Sequence, residues 1–169
     1  DQILEQYNTL KDLEFDLGNK FSNIDNIVVS GMGGSAIAGD IANLILLNIM
    51  RHPISVIRDY NFNENHTTDR TLFIISSYSG NTEETLSVYN MAKKYSKKMI
   101  CVTTGGKLKE FADKDNIDII SIPEGFQPRA AIGYSLMTLI IILWKLNLIS
   151  STKVQSVISS VSKLHSFFE

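Results

Sequence analysis

Five short runs rich in β-branched and other apolar residues recur along this chain: Ile27–Ser30, Ile54–Ile57, Leu72–Ser76, Met99–Thr103 and Ile117–Ile122. Stretches with helical character separate most of them. That alternation predicts a parallel sheet covered on both faces, because parallel neighbours must be rejoined by a crossover that a helix fills. The helical stretches are an amphipathic entry helix over Leu4–Leu17 and an apolar helix over Ile37–Met50 with Pro53 just past its end. Thr82–Tyr95 has an acidic first turn and a lysine-rich last turn, as the helix dipole prefers, and Lys107–Lys114 is a shorter helix. An apolar helix begins at Arg129 and runs through Ala130–Trp144, and Lys153–Phe168 forms a last, more amphipathic one. Polar Asn61–Asp69 is the longest connection and reads as a solvated loop. The expected fold is α/β, a three-layer α-β-α sandwich on a five-stranded parallel sheet in flavodoxin-like order 2-1-3-4-5. Residues 1–150 form the domain and 151–169 an appended terminal helix.

A chain of 169 residues, 44% hydrophobic and 20% charged, buries a substantial core without disulfide or metal staples. The net charge of −2 comes without a basic block, which argues against nucleic acid as a partner. The single cysteine, Cys101, lies in the apolar run Met99–Val102 and reads as a buried structural thiol suited to a reducing cytoplasm. Asp1–Lys20 shows no signal-peptide core. Ala130–Trp144 falls short of the ~20 apolar residues a membrane span needs. It also carries Gly133, Tyr134, Ser135 and Thr138, so it is expected inside protein. His52, His66 and His165 show no ligand spacing with one another or with Cys101, and no metal site is expected. Trp144 and Phe111 read as core or interface residues.

The expected strand order sets strands 1 and 3 side by side, with their C-terminal loops at the switch point where such sheets bind ligands. The loop after strand 1, Ser30-Gly31-Met32-Gly33-Gly34-Ser35-Ala36, lets backbone approach a ligand closely and adds the positive end of a helix. Taken alone, these glycines could equally form only a tight turn. The loop after strand 3, Ser76-Ser77-Tyr78-Ser79-Gly80-Asn81-Thr82-Glu83-Glu84, offers hydroxyls at Ser77, Ser79 and Thr82 beside a helix start. Such a set makes a neutral cradle for phosphate. The competing explanation is a helix cap by Ser79 or Asn81, with Glu83 completing the first turn. Glu83 and Glu84 fit dipole partners better than a general base. The third loop, Pro123-Glu124-Gly125-Phe126-Gln127-Pro128-Arg129, ends on an arginine at the border of an apolar stretch. Its guanidinium calls for an anionic partner, either a bound ligand or a local carboxylate such as Glu124.

Ser30–Asp40, with its Gly31-Met32-Gly33-Gly34-Ser35 turn, resembles the first signature of bifunctional phosphoglucose/phosphomannose isomerases. Ser77–Thr85 resembles the phosphate loop of sugar isomerase (SIS) domains generally, and Gly125–Ala131 is similar to a stretch narrower to the bifunctional isomerases. The likeness runs from about Asp25 to Leu148. It implies that Ser77, Ser79 and Thr82 bind the 6-phosphate of a hexose, that Gly33, Gly34 and Ser35 contact sugar hydroxyls, and that Arg129 steadies an enediolate intermediate. The implied reaction interconverts glucose 6-phosphate or mannose 6-phosphate with fructose 6-phosphate, without metal or redox cofactor. The family's chain holds two SIS domains, and its glutamate base and ring-opening histidine lie in the second. These residues are therefore expected to hold substrate but lack the base, and to pair with a second SIS domain or subunit, as in a homodimer. That contact is expected through the Ala130–Trp144 helix and the terminal helix. Two other readings stay open. Gly31–Ala36 also fits G-x-G-x-x-A of an NAD-type dinucleotide module, with Asp59 placed to hold a ribose. A noncatalytic SIS sensor of phosphosugars is the other.

Overall fold

A computed structural model of the chain describes residues 2–15 and 20–168, those from 164 onward by backbone alone. Strands β1 (Asn26–Ser30), β2 (Ile54–Ile57), β3 (Thr71–Ser76), β4 (Met99–Thr103) and β5 (Asp118–Ser121) form one parallel sheet in the order β2-β1-β3-β4-β5. This is the expected order. The two-residue period of a strand sends alternate side chains to opposite faces. Ile27, Val29, Leu72, Ile74, Ile100, Val102 and Ile120 enter one core, whereas Val28, Phe73, Ile75, Met99 and Cys101 enter the other. β3 and β4 are buried along their whole lengths, which is why they read as unbroken apolar runs rather than as alternation.

The first core is roofed by helices α1 (Gln2–Leu10), α2 (Gly33–Leu46), α5 (Ile132–Lys145) and α6 (Ser151–Phe168), and the second by α3 (Glu83–Ala92) and α4 (Gly106–Asp115). Gly39 of α2 faces Val29 and Val56, where a Cβ would lie 3.2 Å from each, so the helix can settle closely onto the sheet. Ten consecutive residues of α5, Tyr134–Leu143, are buried. The helix is hydrophobic all round because its own domain encloses it. The expectation that this segment faces a second domain is therefore corrected: α1, α2 and α6 consume its apolar surface. Trp144 stacks on Tyr7 at 6.5 Å, and Phe111 lies 6.0 Å from the buried Tyr89 ring.

Three boundaries differ from expectation. α1 ends at Leu10, and Leu13 and Phe15 reach the same core from a turn instead of a further helical turn; positions 16 and 17 of the expected helix lie outside the described residues. α2 starts at Gly33 rather than Ile37, so the glycine loop is itself the first turn of the helix. Arg129 belongs to a 3-10 turn, Pro128–Ala130, that precedes α5. Within the expected loop Asn61–Asp69, Glu64–His66 form another 3-10 turn. No described helix is long and apolar enough to cross a membrane, and the described residues bring together no group of three His, Cys, Asp or Glu side chains that could hold a metal ion.

Candidate functional site

β1 and β3 are hydrogen-bonded neighbours, with Ser30 opposite Ile75 at their C-terminal ends. α2 then departs over one face of the sheet and α3 over the other, which opens a crevice between the two connections. Neither helix start is closed by a side chain: Met32 and Thr82 occupy the N-cap positions, and neither makes a cap hydrogen bond. Two helix N-termini, each carrying about half a positive charge, thus meet at one sheet edge. The capping explanation for the second loop does not match this geometry. Asn81 Oδ1 accepts from the Lys107 N–H at 3.1 Å, at the start of α4, and its Nδ2 donates to Ser79 O at 3.1 Å.

The glycine turn is tightly built on its inner sides and open on its outer one. A Cβ on Gly31 would lie 2.9 Å from Ser76 O, so the ends of β1 and β3 close together only without a side chain there. A Cβ on Gly34 would lie 2.5 Å from the Pro128 carbonyl oxygen, which brings the third loop directly against the glycine turn. Gly33 has φ +51° and nothing within 4 Å of a Cβ position, while Ser35 is buried behind it.

The hydroxyl loop brings Ser77 Oγ within 2.9 Å of Thr82 Oγ1. Ser77 Oγ also accepts from Gly80 N–H at 3.1 Å, and Ser79 Oγ accepts from Asn81 N–H at 3.2 Å. Accepting from backbone leaves a hydroxyl hydrogen to give. Ser77 and Thr82 share one hydrogen between them, so their second one and that of Ser79 are available to an anion. Ser77 is buried and Ser79 exposed. The loop is fastened to the β4–α4 connection. Ser77 N–H donates to Val102 O at 3.0 Å, Thr104 donates to Tyr78 O through both N–H and hydroxyl at 3.1 and 2.8 Å, and Leu108 N–H donates to Gly80 O at 2.9 Å. Gly80 has φ +68° and packs directly on the Gly105 carbonyl.

The third loop is held at several points while its arginine is left uncommitted. Gln2 in α1 donates to Ala130 O at 2.6 Å and accepts from Gly133 N–H at 3.1 Å. Glu5 accepts from the Tyr134 hydroxyl at 2.6 Å. Buried Gln6 donates to Thr138 Oγ1 at 2.8 Å. From the hydroxyl loop, the Tyr78 hydroxyl donates to Pro123 O and accepts from Phe126 N–H, each at 2.9 Å. Arg129 itself is exposed and makes no hydrogen bond or ion pair among the described residues, so Glu124 is not its partner. Its backbone lies 3.4 Å from the Gly34 Cβ position. The structure thus gathers Gly33, Gly34, Ser35, Ser77, Ser79, Thr82 and the Arg129 backbone at one edge. Tyr78 and Gln2 went unnoticed in the sequence; the only signal for Tyr78 was its place between two loop serines.

Glu83 and Glu84 lie beside Tyr60, whose phenol is held above its ordinary pKa by repulsion from Glu84 first and then Glu83. Asp59 Oδ1 accepts from Tyr60 N–H at 2.6 Å.

Residues 20–144 match the SIS domain family model. The chain is 48% identical over 149 residues to a bifunctional phosphoglucose/phosphomannose isomerase of Caldicellulosiruptor bescii, an alignment covering 88% of this chain and 43% of that protein. It is 35% identical over 120 residues to a D-glucosamine-6-phosphate 4-epimerase of Sulfolobus acidocaldarius, covering 70% of this chain and 37% of that one. The chain thus spans less than half the length of these relatives. In fold it is similar to the tagatose-6-phosphate ketose/aldose isomerase of Escherichia coli, with TM-score 0.64 and 20% identity over 94% of this chain and 49% of that one. Sheet order, matched span and relatives agree that this chain belongs to the SIS domain family.

Proposed function

We propose that this chain is the phosphosugar-holding part of an aldose–ketose isomerase that interconverts glucose 6-phosphate or mannose 6-phosphate with fructose 6-phosphate. One observation carries the reading: three hydroxyls and two uncapped helix starts share a sheet edge with an arginine that has no protein partner. Ser77, Ser79 and Thr82 donate to the phosphate, and the starts of α2 and α3 favour its negative charge. Gly33, Gly34 and Ser35 lie against the sugar. Binding the phosphate, remote from the reacting carbons, supplies energy that positions C1 and C2. Arg129, always charged, meets the oxyanion that develops as a proton leaves C2. The proton-abstracting carboxylate and the ring-opening acid are proposed to come from a second SIS domain, as the greater length of the relatives supports. The apolar side chains left open on α2 and just past its end, Ile37, Leu44 and Leu47, support a face covered by that domain or by a second copy.

Isothermal titration of the chain with fructose 6-phosphate, glucose 6-phosphate and NAD tests this. Both sugar phosphates bind and are displaced by inorganic phosphate, NAD gives no heat, and neither sugar is turned over. Heat with NAD alone refutes the phosphosugar site; measurable isomerisation refutes the assignment of the base elsewhere.

A further inference from the structure

We propose that Tyr78 is a positioning residue that ties the occupied phosphate cradle to the loop carrying Arg129; this rests on the isomerase reading above. Tyr78 lies between two of the cradle hydroxyls, Ser77 and Ser79, and its carbonyl is fixed by both donors of Thr104. Its side chain points away from that cradle, half-buried against the core beneath α2 and α5. The hydroxyl ends between Pro123 O and Phe126 N–H and bonds to each at 2.9 Å. These are opposite sides of the turn that leads into Pro128 and Arg129. Phe126 in turn packs 5.3 Å from the Tyr134 ring at the start of α5.

The arginine loop lacks strand pairing of its own, and its first half, Glu124–Gln127, is exposed. Gln2 grips only its far end, at Ala130 and Gly133. Tyr78 is thus the side chain that locates its near end relative to the cradle. A phenol suits this task because one oxygen both donates and accepts on a rigid arm with two rotatable bonds. Anchoring the arm to the phosphate loop places the guanidinium at a set distance from the 6-phosphate, which is the separation an enediolate at C1 and C2 requires of it. The rigid link also means that ordering of the cradle by an anion orders the near end of the arginine loop.

Binding of three probes separates this role from simple support of the fold. These are inorganic phosphate, fructose 6-phosphate, and the phosphorylated hydroxamate of a five-carbon sugar acid, which imitates the enediolate. Tyr78→Phe removes the hydroxyl and keeps the ring. It should leave phosphate affinity within about twofold and weaken the hydroxamate by about tenfold, the effect of leaving a carbonyl and an N–H without their partner. Arg129→Gln should lose the same increment. The double variant should be no weaker than Arg129→Gln alone, because the tyrosine acts through the arginine. Amide hydrogen exchange on the unaltered chain gives a second readout: saturating inorganic phosphate should slow Phe126 N–H as well as residues 77–82. Equal loss for phosphate and hydroxamate, additive losses in the double variant, or an unchanged Phe126 amide overturns the inference while leaving the phosphosugar site standing. Failure of the unaltered chain to bind any of the three removes the isomerase reading and this role with it.

Discussion

Gly33 and Gly80 have nearly the same backbone conformation, φ +51° and +68°, but opposite surroundings, and exchanging each for alanine separates backbone strain from contact. Either substitution puts a Cβ into the left-handed region, at a cost of about 1–2 kcal/mol. At Gly33 nothing lies within 4 Å of that atom, so strain is the whole effect on stability. At Gly80 the Cβ overlaps the Gly105 carbonyl oxygen and lies 2.7 Å from its carbon and 3.0 Å from Thr103 Oγ1. Backbone must move to admit it, at a further ~1–3 kcal/mol. Gly80→Ala is therefore less stable than Gly33→Ala by about 1–3 kcal/mol, which for a chain of this size is about 2–12 °C in thermal midpoint. Binding should follow the reverse order per degree lost. The Gly33 methyl projects into the open side of the glycine turn, so fructose 6-phosphate affinity falls with little loss of stability. Thermal melts followed by circular dichroism and titration at a temperature below both midpoints measure the two effects. Equal midpoints for the two variants would refute the claim that the Gly105 carbonyl demands glycine at position 80. Unaltered sugar-phosphate binding by Gly33→Ala would remove the glycine turn from the site.

Two further outcomes follow from titratable groups in the second core. Burial pushes the Cys101 thiol up to about 12, so Ellman's reagent at pH 8 should not label the folded chain and should label it fully in urea; rapid labelling of the folded chain contradicts the burial. Asp115 accepts from Lys93 at 2.5 Å and from the Tyr89 hydroxyl at 2.6 Å, and these bonds, Lys93 first, hold its carboxyl below the usual range. A depressed folded pKa gives stability that is present above the unfolded value near ~4 and is lost as pH falls through the lower folded one. Asp115→Asn should therefore flatten the fall of the urea midpoint below about pH 4, and parallel curves for the two proteins count against the assignment.

The sheet was legible because its signals are local. Each strand is a contiguous apolar run, and the order 2-1-3-4-5 follows from crossover helices long enough to reach a neighbour but not to skip several. The two ligand loops were legible for the same reason, since glycines and hydroxyls sit at adjacent positions where strands meet helices. What escaped notice depends on partners distant in sequence. Gln2 and Gln6 reach Ala130, Gly133 and Thr138 across more than a hundred residues, and nothing near them announces it. The same blindness misplaced the role of α5: an apolar helix reads alike whether its own domain or another covers it, and only the positions of α1, α2 and α6 decide. The start of α2 was set late because glycines argue against helix, whereas contacts that bury Gly34 and Ser35 override that propensity. Asn81 looked like a cap for α3 by its distance along the chain and instead serves α4.

The first helix also divides the site into parts of unequal durability. The hydroxyl loop is sewn to β4, one of the two fully buried strands, and should survive any opening short of global unfolding. The arginine arm hangs partly from Gln2, in the opening turn of a helix at the periphery, where fraying costs least. Mild warming, or an extension fused ahead of that helix, should thus release the charge-stabilising arm while the anion cradle stays formed. A chain in that state would still hold phosphate and would have lost its preference for an enediolate.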